Sequence, residues 1–464
     1  MKKHNRIIAA VMAVCIAGSV GFMPESIIPV VSMAESAKTI DSGTLGENLT
    51  WVFDNSWTLT ISGTGDMPDF FDDNDAPWYS EKAAINRVVI EDGVTSIGKC
   101  AFSNATNLKS VIISDSVTSI GNSAFSGCMD LKEIKIPDSI TSIGRGVFSG
   151  TSWLESKQEE NPLVIVNNIL VDGYKCFGDV VIPDSVTSIG DSAFEYCIGL
   201  TSVTIPDSVT SICKCAFKDC KNLTSIIIPD SVTSIGTYVF DGCWNLTEIT
   251  IPESVTSIGL KAFYGTPWLE SKRNENPFVV INNILIDGRT CSGNVVIPDG
   301  VTVINSSVFE YTGVKSVTIP YSVTDINYGA FFACAGLTSV TVLNPDCKIG
   351  DIPDTFSNNL FENFIGTIYG YENSTAQAYA EKYDRKFVSL GEAPEENTPT
   401  GNINGDNEFN VADVVLLQKY LLGMPDTKTS DWKNADLNAD GILDVFDLCL
   451  MKKKLIEKIF PEIS

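Results

Sequence analysis

Between residues 88 and 343 the apolar positions return every 23 residues, a period that signals a solenoid of stacked coils. The unit is clearest at Leu200-Thr201-Ser202-Val203-Thr204-Ile205-Pro206-Asp207-Ser208-Val209-Thr210-Ser211-Ile212. A phenylalanine marks each unit, at Phe102, Phe125, Phe148, Phe194, Phe217, Phe240, Phe263, Phe309 and Phe331, with two steps of 46 residues and a final one of 22. Leu200, Val203 and Ile205 read as the inward side of a short strand. Pro206 ends it, because proline cannot donate to a ladder. Val209 and Ile212 supply a second inward pair, and Ala216 and Phe217 are expected on a short helical turn that closes the coil. One coil cannot bury this face alone; stacking does so. About eleven coils at a strand spacing near 4.8 Å give a solenoid on the order of 50 Å long.

Both double steps contain a matched insertion. Trp153-Leu154-Glu155-Ser156-Lys157 recurs as Trp268-Leu269-Glu270-Ser271-Lys272. Each continues into a hairpin-like piece, Leu163 to Val171 and Phe278 to Ile286, turned by Asn167-Asn168 and Asn282-Asn283. Trp153 and Trp268 have two readings, stacking on sugars or packing a short helix onto the solenoid, and the second is favoured. Residues 38–86, with a hairpin from Leu49 to Phe53 and Trp57 to Ile61, suit an N-terminal β cap. Asp72, Asp73 and Asp75 there read as a solvated loop rather than a cation site. The solenoid proper is assigned to 87–343. Residues 344–390 suit a C-terminal cap, with a helix from Thr375 to Tyr383 and a last strand near Phe387. Residues 391–400 read as an extended acidic linker.

The tail, 401–464, changes pattern. One twelve-residue loop runs from Asn402 to Asp413 and a second from Asp436 to Asp447. Both carry oxygen side chains at loop positions 1, 3, 5, 9 and 12, the spacing that wraps a loop around calcium, with a main-chain carbonyl at position 7. The expected ligands are Asn402, Asn404, Asp406, Glu408, Asn410 and Asp413, then Asp436, Asn438, Asp440, Ile442, Asp444 and Asp447, where Glu408 and Ile442 contribute carbonyls. Gly441 and Asn407 fill the sharp turn at position 6. Two calcium ions are expected. Loop two offers four carboxylates and loop one two, so loop two should bind more tightly. Each loop opens a helix, Val411 to Leu422 and Val445 to Ile459, with apolar residues at helical spacing. No helix-like stretch leads into loop one.

Paired loops with exiting helices but no entering helix resemble a type I dockerin. The resemblance implies a cohesin module of a scaffoldin as partner. It implies docking through loop positions 10 and 11 and residues one or two helix turns beyond: Val411, Ala412, Gln418, Lys419, Val445, Phe446, Lys452 and Lys453. Packing between the two helices is a nearly equal reading for Phe446. The Val-Thr-Ser-Ile-Gly and Ala-Phe-x-x-Cys elements of the solenoid resemble the BspA-like leucine-rich repeats. That resemblance implies ligand or surface binding rather than catalysis. The expected fold is thus an α/β-type leucine-rich-repeat solenoid followed by a small all-α calcium-binding dockerin.

Residues 1–34 read as a signal peptide, with Lys2, Lys3 and Arg6 ahead of an apolar run and cleavage after Ala34. Its removal takes away three basic residues and one acidic one, moving the net charge from −26 to −28. So acidic a chain is a poor nucleic-acid binder. No other stretch suits membrane insertion, and a secreted, cellulosome-associated protein is expected. The single histidine, His4, lies in that leader, which removes histidine triads and dyads and His-containing zinc sites. Carboxylate-only glycoside hydrolysis survives this filter, but no non-repeat segment of catalytic size remains. The expected function is non-catalytic binding of an unnamed protein or glycan on the solenoid. A cellulosomal glycoside hydrolase and a cell-surface adhesin are the alternatives. Cys128, Cys197, Cys220, Cys243 and Cys334 each lie three residues after a marker phenylalanine, a slot that Ala105, Thr151, Thr266 and Thr312 fill elsewhere. Such sharing marks a small buried position and unpaired thiols.

Overall fold

The computed structural model describes residues 37–71, 75–334, 336–350, 366–393, 401–404, 409–424, 434–438 and 442–459. The leader reading of 1–34, the acidic Asp72 and Asp73, and linker residues 394–400 lie outside these.

The chain winds into a β-solenoid in which equivalent residues of successive coils pair in parallel. Ser202 faces Ser225, which faces Glu248, and Ser188, Ser211, Ser234 and Ser257 form a second ladder. Two sides of parallel sheet therefore run along the coils, each broken into three blocks, and the side that carries Ser202, Ser225 and Glu248 is the front sheet. Leu200, Val203, Ile205, Val209 and Ile212 point between the two sides, all buried. The marker phenylalanines stack down the core: Phe194, Phe217, Phe240 and Phe263 follow at centroid spacings of 5.0, 5.6 and 5.7 Å with nearly parallel rings. Offset stacking of this kind contributes beyond area burial.

The third side of each coil differs from the helical turn expected there: it is a run of tight turns. The N–H groups of Cys215, Phe217 and Asp219 donate to carbonyls of the next coil, while those of Ala216, Lys218 and Cys220 close four-residue turns. With alternate donors spent between coils, no i→i−4 ladder can form. Cys215 and Asp219 take left-handed φ values of 57°.

The cysteine slot has a physical role. Cys128, Cys220 and Cys243 each donate Sγ–H to the marker-phenylalanine carbonyl of the preceding coil at 3.0 Å. Burial pushes the Cys128 and Cys243 thiols up to about 12. Thr151 and Thr266 use the same slot differently. Each donates to its own marker carbonyl and accepts the N–H of Leu154 or Leu269, so that it caps an inserted helix.

Those helices are α1 (Ser152–Glu160) and α2 (Pro267–Glu275). Trp153 packs on Phe148 at 4.5 Å and Trp268 on Phe263 at 4.9 Å, so both indoles serve helix packing. The hairpins Val164–Val166/Ile169–Asp172 and Val279–Ile281/Ile284–Asp287 follow, turned at Asn167-Asn168 and Asn282-Asn283, all with positive φ. Asn167 Nδ2 donates to the carbonyls of Pro137 and Ile140, and Asn282 repeats this with Pro252 and Val255. The hairpin coil has no marker ring. A Cβ on Gly173 would sit 2.4 Å from Phe194, and one on Gly288 2.5 Å from Phe309, so glycine there lets the next ring close the stack.

At the N-terminal end, β1 (Thr39–Leu45), β2 (Leu49–Asp54) and β3 (Thr58–Gly63) form an antiparallel meander, and β3 pairs in parallel with Arg87–Ile90. β1 is absent from the sequence reading because it is almost wholly exposed and shows no alternation. Trp78 stacks on Phe102 at 5.5 Å and seals the core. At the other end, strands Thr367–Gly370 and Lys386–Ser389 extend the front sheet, with helix α3 (Thr375–Lys382) packed against them through Ala376, Tyr379 and Ala380.

Candidate calcium loops and docking faces

The tail contains α4 (Val411–Leu421) and α5 (Val445–Ile459), each starting at loop position 10. They pack through a core that repeats at an offset of 34 residues. Ile403 and Leu437, Phe409 and Leu443, Val414 and Leu448, Leu417 and Met451, and Leu421 and Leu455 occupy matching places. Gly401 N–H donates to the Asn434 carbonyl at 2.9 Å, joining the two copies at their starts.

In each copy the position-12 aspartate ties the loop shut. Asp413 is fully buried, and its Oδ1 accepts from the N–H of Ile403 at 2.9 Å and of Asn404 at 3.2 Å, while Oδ2 accepts from Asn410 at 2.9 Å. Asp447 repeats this with Leu437 at 2.9 Å, Asn438 at 3.4 Å and Asp444 at 3.0 Å. Asn410 and Asp444 accept from the N–H of Ala412 and Phe446, capping the helices. Thus positions 9 and 12 are fixed by backbone donors that any loop of this length must satisfy.

Asp436 and Asp447 are both buried. Burial pushes the Asp447 carboxyl up, three backbone N–H bonds oppose the shift, and the charge of Asp436 adds to it. A desolvated carboxylate pair of this kind suits a hard divalent cation, which supplies the missing positive charge. Asn402 and Asn404 are half-buried at the start of loop one, Asn438 is exposed and Asp444 half-buried in loop two, and Ile442 is exposed. Asp406, Glu408 and Asp440, with the turn residues Asn407 and Gly441, lie outside the described residues. Among the described residues no three carboxylates converge.

The eight docking candidates are all exposed: Val411, Ala412, Gln418 and Lys419 on α4, and Val445, Phe446, Lys452 and Lys453 on α5. Phe446 is 71% exposed, which is incompatible with a role between the helices, where Leu448 and Met451 are buried instead. Lys458, absent from the sequence reading, donates Nζ–H to the Phe409 carbonyl at 2.8 Å and braces loop one from the far helix. Nothing in the local sequence signals a contact across 49 residues.

On the solenoid, the polar strand positions Ser202, Thr204, Ser225, Thr250, Ser316, Thr318, Ser339 and Thr341 are partly or fully exposed on the front sheet. Some are occupied internally: Ser202 donates to Asp179 at 2.6 Å and Ser316 to Asn294 at 2.9 Å.

The family described as BspA type leucine rich repeat region matches residues 77–170, 172–289 and 288–366, in 6 copies. The type I dockerin domain matches residues 400–456. Among solved structures, a leucine-rich repeat protein from Eubacterium ventriosum is 23% identical, with 76% of this chain and 85% of that one covered and a TM-score of 0.29. A leucine rich cell surface protein from Faecalibacterium prausnitzii is 25% identical, with coverage of 77% and 96% and a TM-score of 0.26. The T. pallidum leucine rich repeat protein is 25% identical, with coverage of 51% and 92% and a TM-score of 0.25. No curated protein matches.

Proposed function

Because this chain belongs to the BspA-type leucine-rich-repeat family and ends in a type I dockerin, we propose that it is a secreted, non-catalytic binding protein held on a cellulosomal scaffoldin. Calcium-dependent capture of a cohesin anchors it, and the solenoid presents a binding face. Two calcium ions are assigned, one to Asn402, Asn404, Asp406, Asn410 and Asp413 with the Glu408 carbonyl. The other goes to Asp436, Asn438, Asp440, Asp444 and Asp447 with the Ile442 carbonyl. The observation that carries this reading is the duplicated loop and helix, in which each position-12 aspartate closes its loop and each helix start leaves an apolar pair exposed.

The two docking faces differ, with Val411 and Ala412 against Val445 and Phe446. Phe446 gives the second copy the larger apolar contact, and buried aromatics dominate interface energetics. We therefore assign docking to the second copy. The full-length protein is expected to bind an immobilised cohesin of its own organism in calcium and to elute in chelator. Val445→Asp with Phe446→Asp should weaken capture at least tenfold, and the same change at Val411 and Ala412 should not. No capture by any such cohesin in calcium would end the docking reading, and the reverse pattern of mutants would move docking to the first copy.

No helix among the described residues is long and apolar enough to cross a membrane.

A further inference from the structure

The front sheet carries an open cleft of about 730 Å³ where its first block meets α1. Arg87, Lys132, Lys135 and Lys157 line it, with Glu133 and Glu160 the only carboxylates among its lining residues. Lys157 is paired with Glu160 at 2.8 Å. Arg87, Lys132 and Lys135 are exposed and make no ion pair among the described residues. Ile112 is 41% exposed on the cleft floor beside Trp153, while Ile134, in register with buried Val111, packs against the core beneath it.

The chain contains its own control. The insertion recurs 115 residues later, and the strand register recurs with it: Arg87 faces Ser110 and Ser110 faces Glu133, as Ser202 faces Ser225 and Ser225 faces Glu248. The frame is retained in Ile227, Ile249, Trp268, Lys272 and Glu275, but Arg87, Lys132 and Lys135 become Ser202, Thr247 and Thr250. If these cations served the scaffold, the second frame would need them too. Lys132 and Lys135 share one coil and Arg87 stands two coils away, and three like charges gathered in one cleft repel one another. They also stand apart from a chain whose net charge is −26.

We propose that this cleft, and not its copy, binds an acidic peptide segment of a partner protein, with carboxylates on Arg87, Lys132 and Lys135 and an apolar side chain on Ile112. Charge-assisted bonds to carboxylates are the strong polar contacts available here, and complementarity of this sort also steers association. A sugar acid fits less well, since the one indole in the cleft packs against Phe148 and the floor is aliphatic. This inference rests on the reading of the solenoid as a binding face and is independent of the dockerin.

The test uses the full chain in calcium and a fluorescein-labelled peptide of alternating Glu and Leu, with a Gln and Leu peptide and polygalacturonate as the other probes. One acidic peptide should bind per chain, weakening as salt rises, and the Gln and Leu peptide should not bind. Arg87→Ser with Lys132→Thr and Lys135→Thr should weaken binding at least tenfold. The reverse exchange, Ser202→Arg with Thr247→Lys and Thr250→Lys, should create a second site, an outcome that loss of folding cannot imitate. Equal binding by wild type and the first triple variant would overturn the cleft while leaving a binding face elsewhere. Preference for polygalacturonate over the peptide would overturn the peptide assignment. Cohesin capture should be unchanged in both variants, so its failure would count against docking and not against the cleft.

Discussion

Asp447→Asn isolates what the closing carboxylate of loop two does. The side chain is fully buried; Oδ1 accepts two backbone N–H groups and Oδ2 a third. An amide of the same shape offers one acceptor oxygen and an NH₂ with two donors. Its best rotamer keeps the bonds from Leu437 and Asn438 and turns NH₂ toward the N–H of Asp444. One charge-assisted bond is lost and one backbone donor faces another donor, which costs about 2–4 kcal/mol. Without cation, part of that cost is offset, because burial and the charge of Asp436 already penalise the ionised acid. With calcium the offset vanishes, since the lost charge is a ligand charge. The folded carboxyl titrates above its ordinary value, so folded protein binds more protons than unfolded protein between the two values. In chelator this group's contribution to stability therefore falls as pH rises through that window. Calorimetric titration of the full chain with calcium should show the tighter of two sites weakened at least tenfold in Asp447→Asn. Asp413→Asn should instead weaken the looser site, and by less, since loop one offers fewer carboxylates. Two undiminished sites in Asp447→Asn would refute the assignment of this carboxylate to a calcium loop.

Phe217→Ala removes a fully buried ring stacked at 5.0 and 5.6 Å on its neighbours and should cost about 3–5 kcal/mol in urea unfolding; a loss below about 1 kcal/mol would contradict its place in the stacked core. Thiol labelling of the native protein should modify Cys449 quickly, because it is exposed, and leave Cys128, Cys220 and Cys243 unreacted until denaturant is added. Those three are buried and hydrogen-bonded as thiols, and the thiolate is the reactive form; rapid labelling of any of them, or a native disulfide joining two, would contradict that placement.

Whatever is written once per repeat can be read from the chain alone. The 23-residue period, the inward Leu200, Val203 and Ile205, the phenylalanine stack and the shared Cys, Ala or Thr slot are legible because stacking requires the same side chain at the same place in every coil. The paired tail loops are legible for a similar reason, since ligand spacing is set within twelve residues. What depends on neighbours in space is visible only in the folded chain. The turn around Phe217 looks helical locally, but its N–H groups are spent on the next coil. Thr39–Leu45 becomes a strand only because Leu49–Asp54 offers it a ladder. Phe446 lies outside the helix pair because Leu448 and Met451 fill the interior. The cleft holding Arg87, Lys132 and Lys135 exists only where three coils and α1 come together, a juxtaposition that no single repeat encodes.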